Sequence, residues 1–149
     1  MKQYIIHPYE GFDEIRFGMS RTEIHNILES PKRSSKNRLG EIIEIYEKIS
    51  LIYSKIDLLV EVTFSTGCSV QYENYDLLND YNGFKKLLND ETALESVGYF
   101  VFPQKGIALI DFLPLGNDDR VVGIFARERW ENFQKGFKPV DKETLLNML

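Results

Sequence analysis

The sequence predicts an α+β fold: an antiparallel β-sheet with two main helices packed on one face, ordered as two α-β-β-β pseudo-repeats and closed by a short C-terminal helix. Three observations predict it. A helix-start signature stands at residue 20, a two-residue apolar period runs from Glu41 to Glu73, and the order of helical then alternating segments recurs in the second half.

The first helix is announced by Ser20 and Glu23, the S-x-x-E spacing in which each side chain takes an amide that the first helical turn would leave orphaned. Met19 and Ile24 are spaced for a hydrophobic staple across that cap. Ile24, Ile27 and Leu28 form one apolar stripe, and Pro31 stops the helix, which is predicted over 21–29. The following segment carries Lys32, Arg33, Lys36 and Arg38 without periodicity and is expected to be an exposed loop.

From Glu41 onward the period changes to two. Ile43 and Ile45, then Ile49, Leu51 and Tyr53, then Leu58, Val60, Val62 and Phe64, then Cys68, Val70 and Tyr72 alternate with Glu44, Ser50, Glu61, Thr63 and Gln71. That alternation describes strands with one buried and one wet face, the antiparallel habit. Short polar connectors at 54–57 and 65–67 suit hairpins. A second helix is expected where Tyr81, Phe84, Leu87 and Leu88 recur at helical spacing behind an Asn79 or Asp80 cap. Three more strands are expected over 97–102, 107–113 and 121–129, joined by the turns PQKG and GNDDR. A last helix is expected over 142–148 behind Asp141.

All 149 residues fit one domain, 1–149, because a chain of this length buries most of its unfolded surface and no change of composition marks a linker. Cys68 is the only cysteine, so no intrachain disulfide exists, and a lone thiol points to the cytoplasm. Residues 1–17 lack the roughly 7–15 apolar residues of a signal-peptide core, and no segment approaches the ~20 of a membrane span. The net charge of −5 disfavours nucleic acid and favours basic partners.

The run FGMSRTEIHNILESPKR, Phe17 to Arg33, resembles the G-M-s-x-x-E opening of small helix-plus-antiparallel-sheet modules related to beta-lactamase-inhibitor protein and the SmpA/OmlA lipoprotein family. The similar residues are a cap, a staple and a helix stop. The chain departs from the lipoproteins in having no N-terminal lipidated cysteine, so their outer-membrane role does not carry over. The resemblance implies a scaffold that binds other proteins through its sheet.

Motifs for chemistry are missing. There is no G-x-G-x-x-G, Walker A, H-E-x-x-H, C-x-x-C or G-x-S-x-G, and the two histidines, His7 and His25, are too few for a histidine-rich metal site. No catalytic residue, cofactor or metal is therefore expected. A Cys68–His25 dyad needs two elements to meet, and Cys68 fits better as a small buried apolar residue. Glu61 and Glu73, placed on strands, read as solvated charges more readily than as a catalytic pair.

Two stretches carry the chemistry of an interface. In YENYDLLNDY, Tyr72, Tyr75 and Tyr81 alternate with Glu73, Asp76 and Asp80, joining broad contact area to carboxylates that steer a basic partner. The competing arrangement packs Tyr72 and Tyr81 inward. In RERWENF, Trp130 is either an interface residue or a strand-terminal cover for the core edge. The expected function is non-enzymatic protein binding, as an immunity or antitoxin-type inhibitor occluding a basic toxin domain. The alternatives are a small enzyme or ligand-binding domain with an aromatic-lined pocket, and a homo-oligomeric structural module.

Overall fold

The two-residue periodicity becomes a nine-stranded antiparallel sheet. In the computed structural model, which describes residues 1–149, the N-terminal segment forms β1 (Gln3–His7), β2 (Gly11–Phe12) and β3 (Ile15–Arg16) ahead of α1 (Arg21–His25). There follow β4 (Arg33–Lys36), β5 (Ile42–Ile45), β6 (Ile49–Tyr53), β7 (Leu59–Ser65), β8 (Ser69–Tyr72), β9 (Tyr75–Asp76) and α2 (Asn82–Asp90). The second half continues with β10 (Leu94–Ser96), β11 (Tyr99–Phe102), β12 (Ile107–Ile110), β13 (Val121–Phe125), α3 (Arg127–Phe133), β14 (Lys138–Pro139) and α4 (Lys142–Asn147). The fold is α+β.

The large sheet has the order β14-β10-β11-β12-β13-β7-β6-β5-β4. Its halves meet where β13 pairs with β7, Val121 opposite Ser65 and Phe125 opposite Glu61. In each half a helix precedes four strands of this sheet, where three were expected: α1 precedes β4 to β7, and α2 precedes β10 to β13. The additional strand of the first half is β4, drawn from the basic stretch read above as a loop. Periodicity could not reveal it, because all four residues are exposed and only the ladder to β5 holds them. Its cations at the sheet's outer edge discourage further pairing.

The single sheet of the sequence reading also divides. β8 leaves the large sheet and pairs in parallel with β1, giving a second sheet of order β3-β2-β1-β8-β9.

The first helix is shorter than predicted. Its capping box is realised in full: Ser20 Oγ accepts from the Glu23 amide at 3.2 Å, and the Ser20 amide donates to Glu23 Oε1 at 3.0 Å. The regular helix ends at His25, and turn hydrogen bonds carry the chain on, Leu28 N to Ile24 O at 2.8 Å.

The core lies on one face of the large sheet. Register places Leu51, Val62, Ile124, Ile107 and Phe102 side by side across five strands, with Phe64, Val122, Leu109 and Phe100 in the next row, all buried. Ile24 of α1 and Phe84, Leu87 and Leu88 of α2 join the same cluster. Phe84 meets Phe100, Phe102 and Phe112 with ring centroids 5.4, 6.3 and 5.9 Å apart. Edge-on and tilted pairs of this kind add to the area they bury.

Glu44 corrects the reading of β5. It was placed on the wet face, yet it stands directly opposite Leu51 in the core row and is 0% exposed. Ile43 and Ile45 occupy the other side and are half-buried. Arg21 and His25, one turn apart on α1, supply the partners that permit a carboxylate inside.

The strand expected over 121–129 stops at Phe125. Ala126 is the N-cap of α3, with φ −72° and ψ 155°, and its amide closes the ladder on Val60 O at 2.9 Å. RERWENF then turns helical, which suits its Arg and Glu content. Trp130 is accordingly a helical residue and not a strand-terminal one.

Candidate functional site

Strand alternation gives the large sheet a second face, and the second half of the chain leaves an open groove on that face. Val101, Ala108, Ile110, Gly123 and Phe125 point there, opposite the core row. The floor is low at Gly123, where a Cβ would lie 3.7 Å from that of Ala108. Trp130 and Phe133 of α3 form a wall, with Phe137 beyond the helix. Trp130 is set by Phe125 and Phe137 at centroid distances of 6.1 and 5.2 Å. The groove has a volume of about 410 Å³, and nine of its 13 lining residues are hydrophobic.

The groove's only lining charges are Glu61 and Arg129. Arg129 Nε donates to Glu61 Oε1 at 2.8 Å, and an Arg129 terminal nitrogen donates to Glu41 Oε2. Glu41 is also held by Asn37, whose Nδ2 donates to Oε1 at 3.0 Å. Burial disfavours the ionised form of Glu41, but the hydrogen bonds from Arg129 and Asn37 outweigh it and hold the carboxyl below its ordinary value. Burial likewise opposes the Arg129 charge, and the two carboxylates more than restore it. The Arg129 guanidinium lies 4.8 Å from the Phe133 ring centroid, tying α3 together at the same point.

One rim of the groove is the hairpin turn between β10 and β11. Ser96 pairs with Tyr99 across a two-residue loop in which Val97 has φ 41° and Gly98 φ 82°. Positive φ at both positions defines the mirror-image turn that normally takes Asn, Asp or Gly. Gly98 suits it, and its missing Cβ avoids Asp111 Oδ1 at 2.7 Å. Val97 does not suit it: a β-branched residue is strained there, and this one is 94% exposed. Tyr99 and Phe133 are exposed beside it.

A polar cluster sits on the core side of the first half. Arg21 Nε is 3.0 Å from Glu44 Oε2, and His25 Nε2 is 2.9 Å from both Glu44 oxygens. The hydroxyls of Tyr46 and Tyr53 are buried with no hydrogen-bond partner. Burial first, and the Glu44 charge second, push both phenols up, Tyr46 to about 12. The cluster clamps the five-residue α1 to β5. Cys68 does not join it: its thiol donates to Ser65 O at 3.2 Å, and burial pushes it up to about 11, out of the nucleophilic range at neutral pH.

The residues of the Tyr and acid stretch part company. Tyr72 is 3% exposed within the core, which corrects its placement on a partner-facing surface. Tyr81 packs edge-on against Phe112, donates to Phe112 O at 3.3 Å and accepts from the Gly116 amide at 2.8 Å. Asp76 folds the turn, accepting from Ser69 Oγ, Asn79 Nδ2 and the amides of Leu78 and Asn79. Asp80 takes the Asn82 amide at 2.8 Å as α2 begins. Glu73 lies exposed in the β8–β9 turn at φ 54°, in the smaller sheet, so it does not face Glu61. Tyr75 is half-buried against the core. Trp130 alone of the expected residues lines the groove.

No family model, curated protein or solved structure matches the chain. No helix is long and apolar enough to cross a membrane.

Proposed function

We propose that the chain is a non-enzymatic protein-binding domain of the immunity or antitoxin type, acting in the cytoplasm by covering the surface of a basic, toxin-like protein. The contact surface is the groove between α3 and the second face of the large sheet. The observation that carries this reading is Val97, an exposed apolar side chain kept in a strained turn on the groove's rim, where Asn would relieve the backbone. Strain retained at an exposed apolar position is explained by a use outside the fold. The excess of carboxylates over the whole chain supplies steering toward a basic partner.

The test is recovery of a basic protein with the tagged chain from its source cells, followed by binding measurements on the purified pair. Binding is expected to weaken as salt rises and to be lost in Trp130→Ala, with Val97→Asn weakening it. A partner that binds both variants as well as the parent would overturn the proposal.

A second reading is favoured by the groove's size, since about 410 Å³ falls in the range of small-molecule pockets. An apolar ligand there would alter the fluorescence of Trp130, the only tryptophan, without any protein partner.

A further inference from the structure

Glu61 and Arg129, the two charges that line the groove, belong to a cluster in which one cation is shared between two carboxylates. Arg129 pairs with both Glu41 and Glu61, and Glu41 also feels the positive charge of Lys55. The guanidinium is engaged by both carboxylates, whereas Glu61 uses only Oε1 and keeps Oε2 without a protein hydrogen bond. Of the two acids, Glu61 lines the groove. An anionic group entering here would meet an arginine already neutralised and a carboxylate with a spare lone pair. A cation would meet that carboxylate beside the aromatic side chains of Tyr99 and Trp130, whose ring faces attract positive charge, while the Phe133 ring already holds the Arg129 guanidinium. The floor of Val101, Ala108 and Gly123 is apolar and suits a methylene chain.

We infer that the groove is a receptor for a basic side chain, a lysine or arginine of the protein partner, with its aliphatic stem on the apolar floor and its charged head at Glu61 Oε2. This rests on the reading of the chain as a protein-binding domain for the source of the cation. The selectivity belongs to the groove itself and is measurable without the partner.

The experiment titrates the intact chain with hexylguanidinium, hexanoate and hexanol while following Trp130 fluorescence. Hexylguanidinium is expected to bind about fivefold more tightly than hexanoate, the scale of a partly exposed ion pair. Glu61→Gln should abolish that preference and leave the hexanol response in place, whereas Glu61→Asp should retain part of it. Equal or tighter binding of hexanoate, no response to any probe, or a preference that survives in Glu61→Gln would overturn the assignment. Sedimentation showing a dimer that dissociates as hexylguanidinium binds would give the groove to a second copy of the chain and overturn the choice of partner. If the probes discriminate as expected but no basic protein is recovered from the source cells, the proposed function falls while the cation selectivity stands.

Discussion

Val97 shows how a single residue separates stability from use. A β-branched side chain at φ 41° crowds its own backbone, and Asn tolerates the left-handed region far better. Val97→Asn is therefore expected to stabilise the fold by about 1 kcal/mol, read as a higher urea midpoint with unchanged slope. The same substitution removes exposed apolar surface at the groove's rim and should weaken partner binding. A variant less stable than the parent would show that the turn is not strained. At this scale the sequence was a partial guide. Trp130 could be singled out because a tryptophan among charged residues is conspicuous, but Val97 in ESVGYF looks like an ordinary strand residue until the turn's dihedral angles are known. Glu44 misled for a related reason: alternation assigns a face, and only the partners Arg21 and His25 make the buried face tolerable for a charge.

At the scale of elements, α1 and α3 depend on different physics. α1 has five residues, too few to persist alone, and owes its start to the capping box and its place to Ile24 and the Glu44 contacts. Ser20→Ala should cost about 1 kcal/mol through the lost cap, measurable by chemical denaturation. No change is expected in the groove, which α1 does not line. α3 has no fully buried residue and is joined to the sheet by Arg129 and the aromatic contacts of Trp130. Arg129→Met leaves Glu41 buried without its cation, so it is expected to destabilise by about 3–5 kcal/mol. Loss of the near-ultraviolet circular dichroism of Trp130 ahead of global unfolding would show that α3 detaches first. α1, α2 and α4 could be placed from local signals, and so could seven of the fourteen strands, β5 to β8 and β11 to β13. β4 and the turn into α3 could not, since an exposed edge strand has no apolar period and a helix following a strand without a polar cap offers no boundary.

For the molecule as a whole, acid is the informative perturbation. Glu41 in the folded state is held below 4.5, its ordinary value, so its stabilising contribution is complete above about pH 4.5. It is lost as the pH falls through the folded value, when protonation leaves Arg129 one partner short. The parent should thus lose stability on acidification below this point. Glu41→Gln should be less stable than the parent at neutral pH and show a shallower acid dependence, as read from urea midpoints across the two pH regions. A parallel acid profile for parent and variant would remove Glu41 from the account. What the sequence alone determined is whatever is settled over a few residues: the cap at Ser20, the change of period at Glu41, the helical spacing of Phe84, Leu87 and Leu88, and with them the α+β class. The tertiary structure alone decided where the groove lies and what charges it holds. Arg129 meets Glu61 across 68 positions and Glu41 across 88, and no local pattern encodes those encounters. They arise because strand register and the side taken by α3 are chosen by the packing of the entire sheet, a free energy shared among many residues and written in none of them singly.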